Sequence, residues 1–167
     1  MALYYEQLTC VVANMVSSAK AQSSLNRIQD LLGIAQDRTQ NTEPSQMIAA
    51  GIPASAIVRL KQATGLSEQQ MAQTVGISRR TLSRRIQQAN ADSNQRLTAA
   101  QSDRLYRLAR IVARAVEVFG DEVEAKQWLN EPKLTLNGQT PLAAISTEPG
   151  VEQVDLMLGR IEHGIFA

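Results

Sequence analysis

The stretch SEQQMAQTVGISRRTLSRRIQQ, Ser67 to Gln88, decides how the chain is read. Ser67 followed three residues later by Gln70 is a capping-box pattern, which starts a short helix running from Glu68 to about Thr74. Gly76 ends that helix, and Ser78 caps another, Arg79 to about Gln88. A preceding helix, about Ala54 to Ala63, is stopped by Gly65. Ala72, Gly76, Ile77 and Leu82 stand at the intervals of a helix-turn-helix. The alanine is small where the second helix crosses, the glycine frees the turn, and the two larger residues pin one helix on the other. Arg85 stands where an apolar residue is often expected, with Ile86 next to it, so the register rests on Leu82 and Ile86 sharing a face four apart.

With those two facing inward, Arg79, Arg80, Ser83 and Arg84 point outward on a helix that carries four arginines and no acid. An arginine can hold guanine O6 and N7 with paired hydrogen bonds, for about 1–3 kcal/mol of discrimination, while others hold phosphates. The expected DNA-binding set is Ser67, Gln69, Ser78, Arg79, Arg80, Ser83 and Arg84. A run of charge is by itself most often a solvated face; the spacing of the turn residues is what turns this one into a recognition helix. One such helix covers a half-site, so a homodimer within a larger assembly is expected on operator DNA.

Composition narrows the alternatives. The formal net charge of +1 gives no global field toward nucleic acid or membrane, so attraction to an anion must be local. Cys10 and His163 are the only residues of their kinds, too few for a structural zinc site or a disulfide framework, and Cys10 reads as a small buried apolar residue. No apolar run is long enough to span a bilayer, and Met1 to Met15 lacks the early basic residue of a signal peptide, so a cytoplasmic protein is expected. No glycine-rich phosphate loop or metal-ligand spacing occurs, and Glu122 and Glu124 lie two apart on a helix and face different ways. Neither an enzyme nor a cofactor is expected.

Plentiful alanine, leucine, glutamine and arginine favour an all-α fold. Three parts are expected: 1–46, an N-terminal helical segment and polar linker; 47–95, the helix-turn-helix domain; and 96–167, a small helical domain. In the last part Leu105, Leu108, Ile111, Val112, Ala115, Val116 and Phe119 mark an amphipathic helix ended by Gly120. Asp121 and Glu124 cap the next, which carries Trp128 as a core residue and stops at Pro132. The Asn137-Gly138 turn leaves room for a very short β-hairpin near 133–140. Thr140-Pro141 starts a short helix, and a final helix, about Val151 to His163, ends at Gly164. His163 suits a helix C-terminus on dipole grounds alone, whereas Phe166, past the terminating glycine, needs a surface: a partner, the protein's own core or a second copy.

From Leu105 to Ala167 the chain resembles the toxin-binding domain of the Xre/MbcA/ParS antitoxin family. The resemblance is carried by Phe119-Gly120, Trp128-Leu129 followed by Pro132, NGQTP at Asn137 to Pro141, T-x-x-G at Thr147 to Gly150, and the ending IEHGIFA. It implies a paired toxin of the RES-domain fold, acting on NAD and resembling ADP-ribosyltransferases, and an antitoxin without catalysis whose tail lies at the NAD cleft. Carried over to this sequence, the implied toxin-binding residues are Arg160, Glu162, His163, Gly164, Ile165 and Phe166. Composition and periodicity fit equally well a transcription regulator whose C-terminal part dimerises or senses a ligand; the family motifs favour the antitoxin.

Overall fold

The computed structural model describes residues 22–34, 43–91 and 95–164, the side chains of 89–91 excepted. The readings of Cys10, of most of the linker, and of Ile165 and Phe166 therefore lie outside the described residues. The elements are α1 (22–32), α2 (Pro44–Ala50), α3 (Ser55–Thr64), α4 (Glu68–Val75), α5 (Arg79–Ala91), α6 (Ala99–Phe119), α7 (Glu122–Asn130), α8 (Pro141–Ala144) and α9 (Glu148–Glu162).

Two helix starts differ from the sequence reading. Helix α6 begins before Leu105, because Thr98 and Gln101 form a capping box: the Thr98 side chain accepts from Gln101 N and the Gln101 side chain from Thr98 N. Helix α9 begins before Val151, with Thr147 as its cap and Pro149 inside its first turn, where a missing N–H costs no intrahelical bond.

The longest helix among the described residues, α6, is the axis of the molecule and packs against α2, α3, α4, α7 and α9. Its Leu105, Leu108, Ala109, Ile111, Val112 and Ala115 are buried, in keeping with the stripe read from the sequence. Each fully buried leucine or isoleucine contributes about 1.5–3 kcal/mol relative to exposure. Ile28 and Leu32 of α1 join the same core, and Arg27 pairs with Glu122 at 3.8 Å, so the described part of α1 is docked on the body of the protein.

The helix-turn-helix shares more than apolar packing with the C-terminal helices. Carbonyls at helix C-termini lack intrahelical partners, and side chains from α6 and α7 supply donors. Asn130 Nδ2 donates to Thr64 O at 2.9 Å and Lys126 Nζ to Gln62 O at 3.2 Å, at the end of α3. Arg104 Nη1 donates to Val75 O at 3.2 Å, at the end of α4. After α5 the chain returns to pair antiparallel with the segment before α3: Ala54 N donates to Gln95 O at 2.8 Å and Leu97 N to Ile52 O at 2.9 Å.

The β-hairpin allowed for near 133–140 is not formed. Leu134–Leu136 is a turn of 3-10 helix, closed by Asn137 in the left-handed region at φ 55°. Lys133 N donates to Gln139 O at 3.0 Å and Gly138 N to Lys133 O at 3.0 Å, so backbone groups that a ladder would need are used within the turn.

Candidate functional site

The cationic helix is held as the turn residues require. Ser67 Oγ accepts from Gln70 N at 3.3 Å, and Gln70 Oε1 accepts from Ser67 N at 3.0 Å, which fixes the start of α4. Gly76, at φ 74°, ends α4 in a conformation that strains any residue with a Cβ, and its N–H donates to Ala72 O at 2.9 Å. Met71, Ala72 and Val75 of α4 and Leu82 of α5 are buried in the shared core, with Ile77 and Ile86 part-buried against it. Ser78 Oγ accepts from Thr81 N at 3.1 Å as the cap of α5. Arg85, which occupies the expected apolar position, is half-buried and donates from Nη1 to Arg96 O at 3.4 Å. It faces the protein.

On the other side of α5, Arg79, Arg80, Thr81, Ser83, Arg84 and Gln87 border one open concave face. Arg80 and Arg84 are exposed, one turn apart. Arg79 leans toward Glu68, with Nε 3.8 Å from Oε2, and keeps 69% of its side chain exposed. Ser83 Oγ donates to the same carboxylate at 3.2 Å. Ser67 and Gln69 are exposed at the start of α4, though the Ser67 hydroxyl is committed to its cap. All seven residues of the expected DNA-binding set thus belong to α4 and α5 or cap them.

The second set lies at the end of α9. Val151, Val154 and Leu158 form its buried stripe. Arg160 is exposed, and so is His163, whose N–H donates to Gly159 O at 3.1 Å as the helix closes. Glu162 is half-buried and bound to the Arg114 guanidinium, an interaction that raises the arginine above its usual pKa and ties the last turn of α9 to α6. Glu117 adds a further carboxylate 3.9 Å from Arg114. Gly164 leaves the helix at φ 66°. Of the expected toxin-binding residues, Arg160 and His163 are presented outward and Glu162 is used internally.

The sequence reading missed two exposed leucines near this end. Leu134 is 96% exposed at the tip of the 3-10 turn, and Leu156 on α9 is 59% exposed. Thr135 Oγ1 donates to Met157 Sδ at 3.4 Å, which seats the turn against α9. Leu156 and Arg160, four apart, lie on one helix face. The signal was available: the apolar period of α9 runs through 151, 154 and 158, so Leu156 falls outside it. Trp128 is part-buried, with its ring 5.7 Å from that of Phe119 and Lys133 Nζ 5.3 Å above it, which agrees with a packing role. Among the described residues no group of three or more His, Cys, Asp or Glu could hold a metal ion, and no helix is long and apolar enough to cross a membrane.

Fold and surfaces together define a helix-turn-helix protein with a second, helical, interaction domain built on a shared axial helix. The model of the Antitoxin Xre-like helix-turn-helix domain matches residues 43–110, and that of the Antitoxin Xre/MbcA/ParS C-terminal toxin-binding domain matches residues 114–164. A protein of Pseudomonas putida named Antitoxin Xre is 36% identical over 138 residues, 83% of this chain and 82% of its own. The chain belongs to the Xre antitoxin family. A protein of a Sphingobium species named Prs ADP-ribosylating antitoxin is 25% identical over 130 residues, 72% of this chain and 79% of its own. The crystal structure of the M. tuberculosis MbcT–MbcA toxin–antitoxin complex contains a chain with 24% identity and a TM-score of 0.47, the match covering 68% of this chain and 96% of that one.

Proposed function

We propose that this antitoxin blocks an NAD-consuming RES-type toxin through α9 and the tail that follows it, and represses its own operon through the arginine face of α5. The observation that carries the first part is the outward face of α9. Leu156, Arg160 and His163 are exposed on a helix that Arg114 and Glu162 fix to α6, inside the stretch matched by a toxin-binding domain. A short tail leaving an ordered helix can fill a cleft at small entropic cost, because its base is already in place. A relative named for ADP-ribosyl chemistry supports an NAD-linked reaction for the partner.

The second part rests on Arg80 and Arg84, exposed one turn apart on a capped helix of the right shape for the major groove. A homodimer, or a larger complex with the toxin, brings two such helices to two half-sites. The residues act by binding, and no step of catalysis is assigned to them.

Deleting Ile165 to Ala167 tests the tail. Expected is loss of rescue when a RES-type toxin encoded beside the gene is expressed, with retardation of promoter DNA unchanged. A truncated protein that still rescues growth removes the tail from the mechanism. A transcription regulator without a toxin would instead purify free of any neighbouring gene product.

A further inference from the structure

Among the described residues, Glu68 is the acid placed against the arginine face of α5. Its carboxylate meets groups from two other helices: it pairs with Lys61 Nζ of α3 at 3.5 Å and with Arg79 Nε of α5 at 3.8 Å, and accepts a hydrogen bond from Ser83 Oγ of α5 at 3.2 Å. Only about a third of its side chain is exposed, 35%, so it sits in the joint between the helices with its charge directed at the recognition surface. For affinity alone the position is unfavourable, because a carboxylate beside the duplex repels phosphates and occupies a cation that could bind one.

What the arrangement supplies is orientation. Ser83 and Arg79 lie four apart on the face that also carries Arg80 and Arg84, and one carboxylate engages both, Ser83 by a hydrogen bond and Arg79 by an ion pair. A guanidinium on a flexible stem has many ways to meet a phosphate and few to meet a base edge, so an anchored arginine discriminates better than a free one. We propose that Glu68 is a specificity-determining positioning residue: it withholds Arg79 from the phosphate backbone and orients Arg79 and Ser83 toward the floor of the major groove. The proposal rests on the DNA-binding reading given above. Lys61, held on the far oxygen of the same carboxylate, keeps Glu68 turned into the joint.

The test uses the full chain as wild type, Glu68→Gln, Glu68→Asp and the double variant Glu68→Gln with Arg79→Gln. The probes are a duplex from the promoter of its own gene and a scrambled duplex of equal length and composition, titrated between 50 and 200 mM salt. Glu68→Gln frees Arg79 for one more phosphate. The log–log salt slope on scrambled DNA then steepens by about 0.9, which is roughly threefold in affinity across that salt range. Scrambled DNA gains at low salt, promoter DNA gains less or loses, and the ratio between them falls severalfold. Glu68→Asp keeps the charge and retains most of the ratio, while the added Arg79→Gln returns the slope to the wild-type value.

An unchanged slope, or equal factors on both duplexes, overturns the proposal. A carboxylate that merely braces the helices gives that second pattern, with a lowered Tm and both affinities falling together. Wild-type protein that does not distinguish the duplexes overturns the DNA-binding reading itself, and the proposal with it.

Discussion

Two glycines of α9 respond to the same substitution with opposite sign. Gly150 is buried in the first turn, where an added Cβ stands 1.9 Å from Ala144 O, 2.6 Å from Ala144 C and 3.1 Å from Thr147 Oγ1. The obstacle is backbone, which cannot rotate aside, and contacts under 3.0 Å are essentially never formed by real Cβ atoms, so α8 and α9 must part by about an ångström or more. That separation acts on the buried stripe Val151, Val154 and Leu158. Overpacking of this kind costs about 1–3 kcal/mol, and the backbone origin puts Gly150→Ala at the upper end. For a chain of this length the loss corresponds to roughly 5–10 °C in Tm.

Gly159, two turns and more along the same helix, has nothing within 4 Å of an added Cβ. There alanine removes the helical penalty of glycine and stabilises by about 0.5–1 kcal/mol, roughly 1–4 °C. Parallel thermal melts of the two variants are the assay. A Gly150→Ala protein that melts at or above the wild type refutes the reasoning, because the close approach of Ala144 O is then not a constraint of the native structure. The same comparison gives a physical meaning to the T-x-x-G pattern: Thr147 Oγ1 accepts from Gly150 N at 3.3 Å, and the glycine admits the carbonyl that packs against it.

Other outcomes follow from the same geometry. Arg114→Gln strips Glu117 and Glu162 of a shared, part-buried cation; a loss of about 1–3 kcal/mol in urea unfolding and weaker toxin neutralisation are expected, with Arg114→Lys closer to the wild type and promoter binding unchanged in both. Wild-type stability in Arg114→Gln would mean that the pair does not hold the end of α9. Leu82→Ala opens the joint between α4 and α5 and costs about 2–5 kcal/mol by chemical denaturation, with promoter retardation lost in step. Retained stability there would contradict the register. Leu134→Ser, at a residue 96% exposed, should change stability by no more than about 0.5 kcal/mol while reducing co-purification of the toxin; full co-purification takes the 3-10 turn out of the partner surface.

Much of this architecture is legible in the residues because its boundaries are chemically marked. Ser67 with Gln70, Asp121 with Glu124, and Gly65, Gly76 and Gly120 set helix ends through local bonds or left-handed dihedrals that need no tertiary partner. The elements that escaped depend on competition between two local rules. Thr98 with Gln101 is the same capping signal as Ser67 with Gln70, but it lies ahead of the strong apolar period that begins at Leu105. Pro149 lies ahead of the Val151 start given by the apolar period, yet a proline is accommodated in a first helical turn, where the structure has it. Around Asn137-Gly138 the turn residues suit a hairpin and a 3-10 turn alike, and the choice falls to Leu136, buried, while Leu134 remains outside.

The candidate sites divide in the same way. The outward direction of Arg80 and Arg84 follows from Leu82 and Ile86 by periodicity alone. The engagement of Glu68 with Lys61, Arg79 and Ser83, and of Glu162 with Arg114, joins residues far apart in the chain or on crossing helices. Spacing along one helix carries no signal for such contacts.

Titration of the promoter duplex by gel shift with wild-type protein, Arg80→Ala and Arg84→Ala tests most directly whether the arginine face of α5 is the DNA-reading surface. Each substitution is expected to weaken binding at least about tenfold, the equivalent of roughly 1.4 kcal/mol, with melting temperatures unchanged. Equal affinity for all three proteins would contradict it.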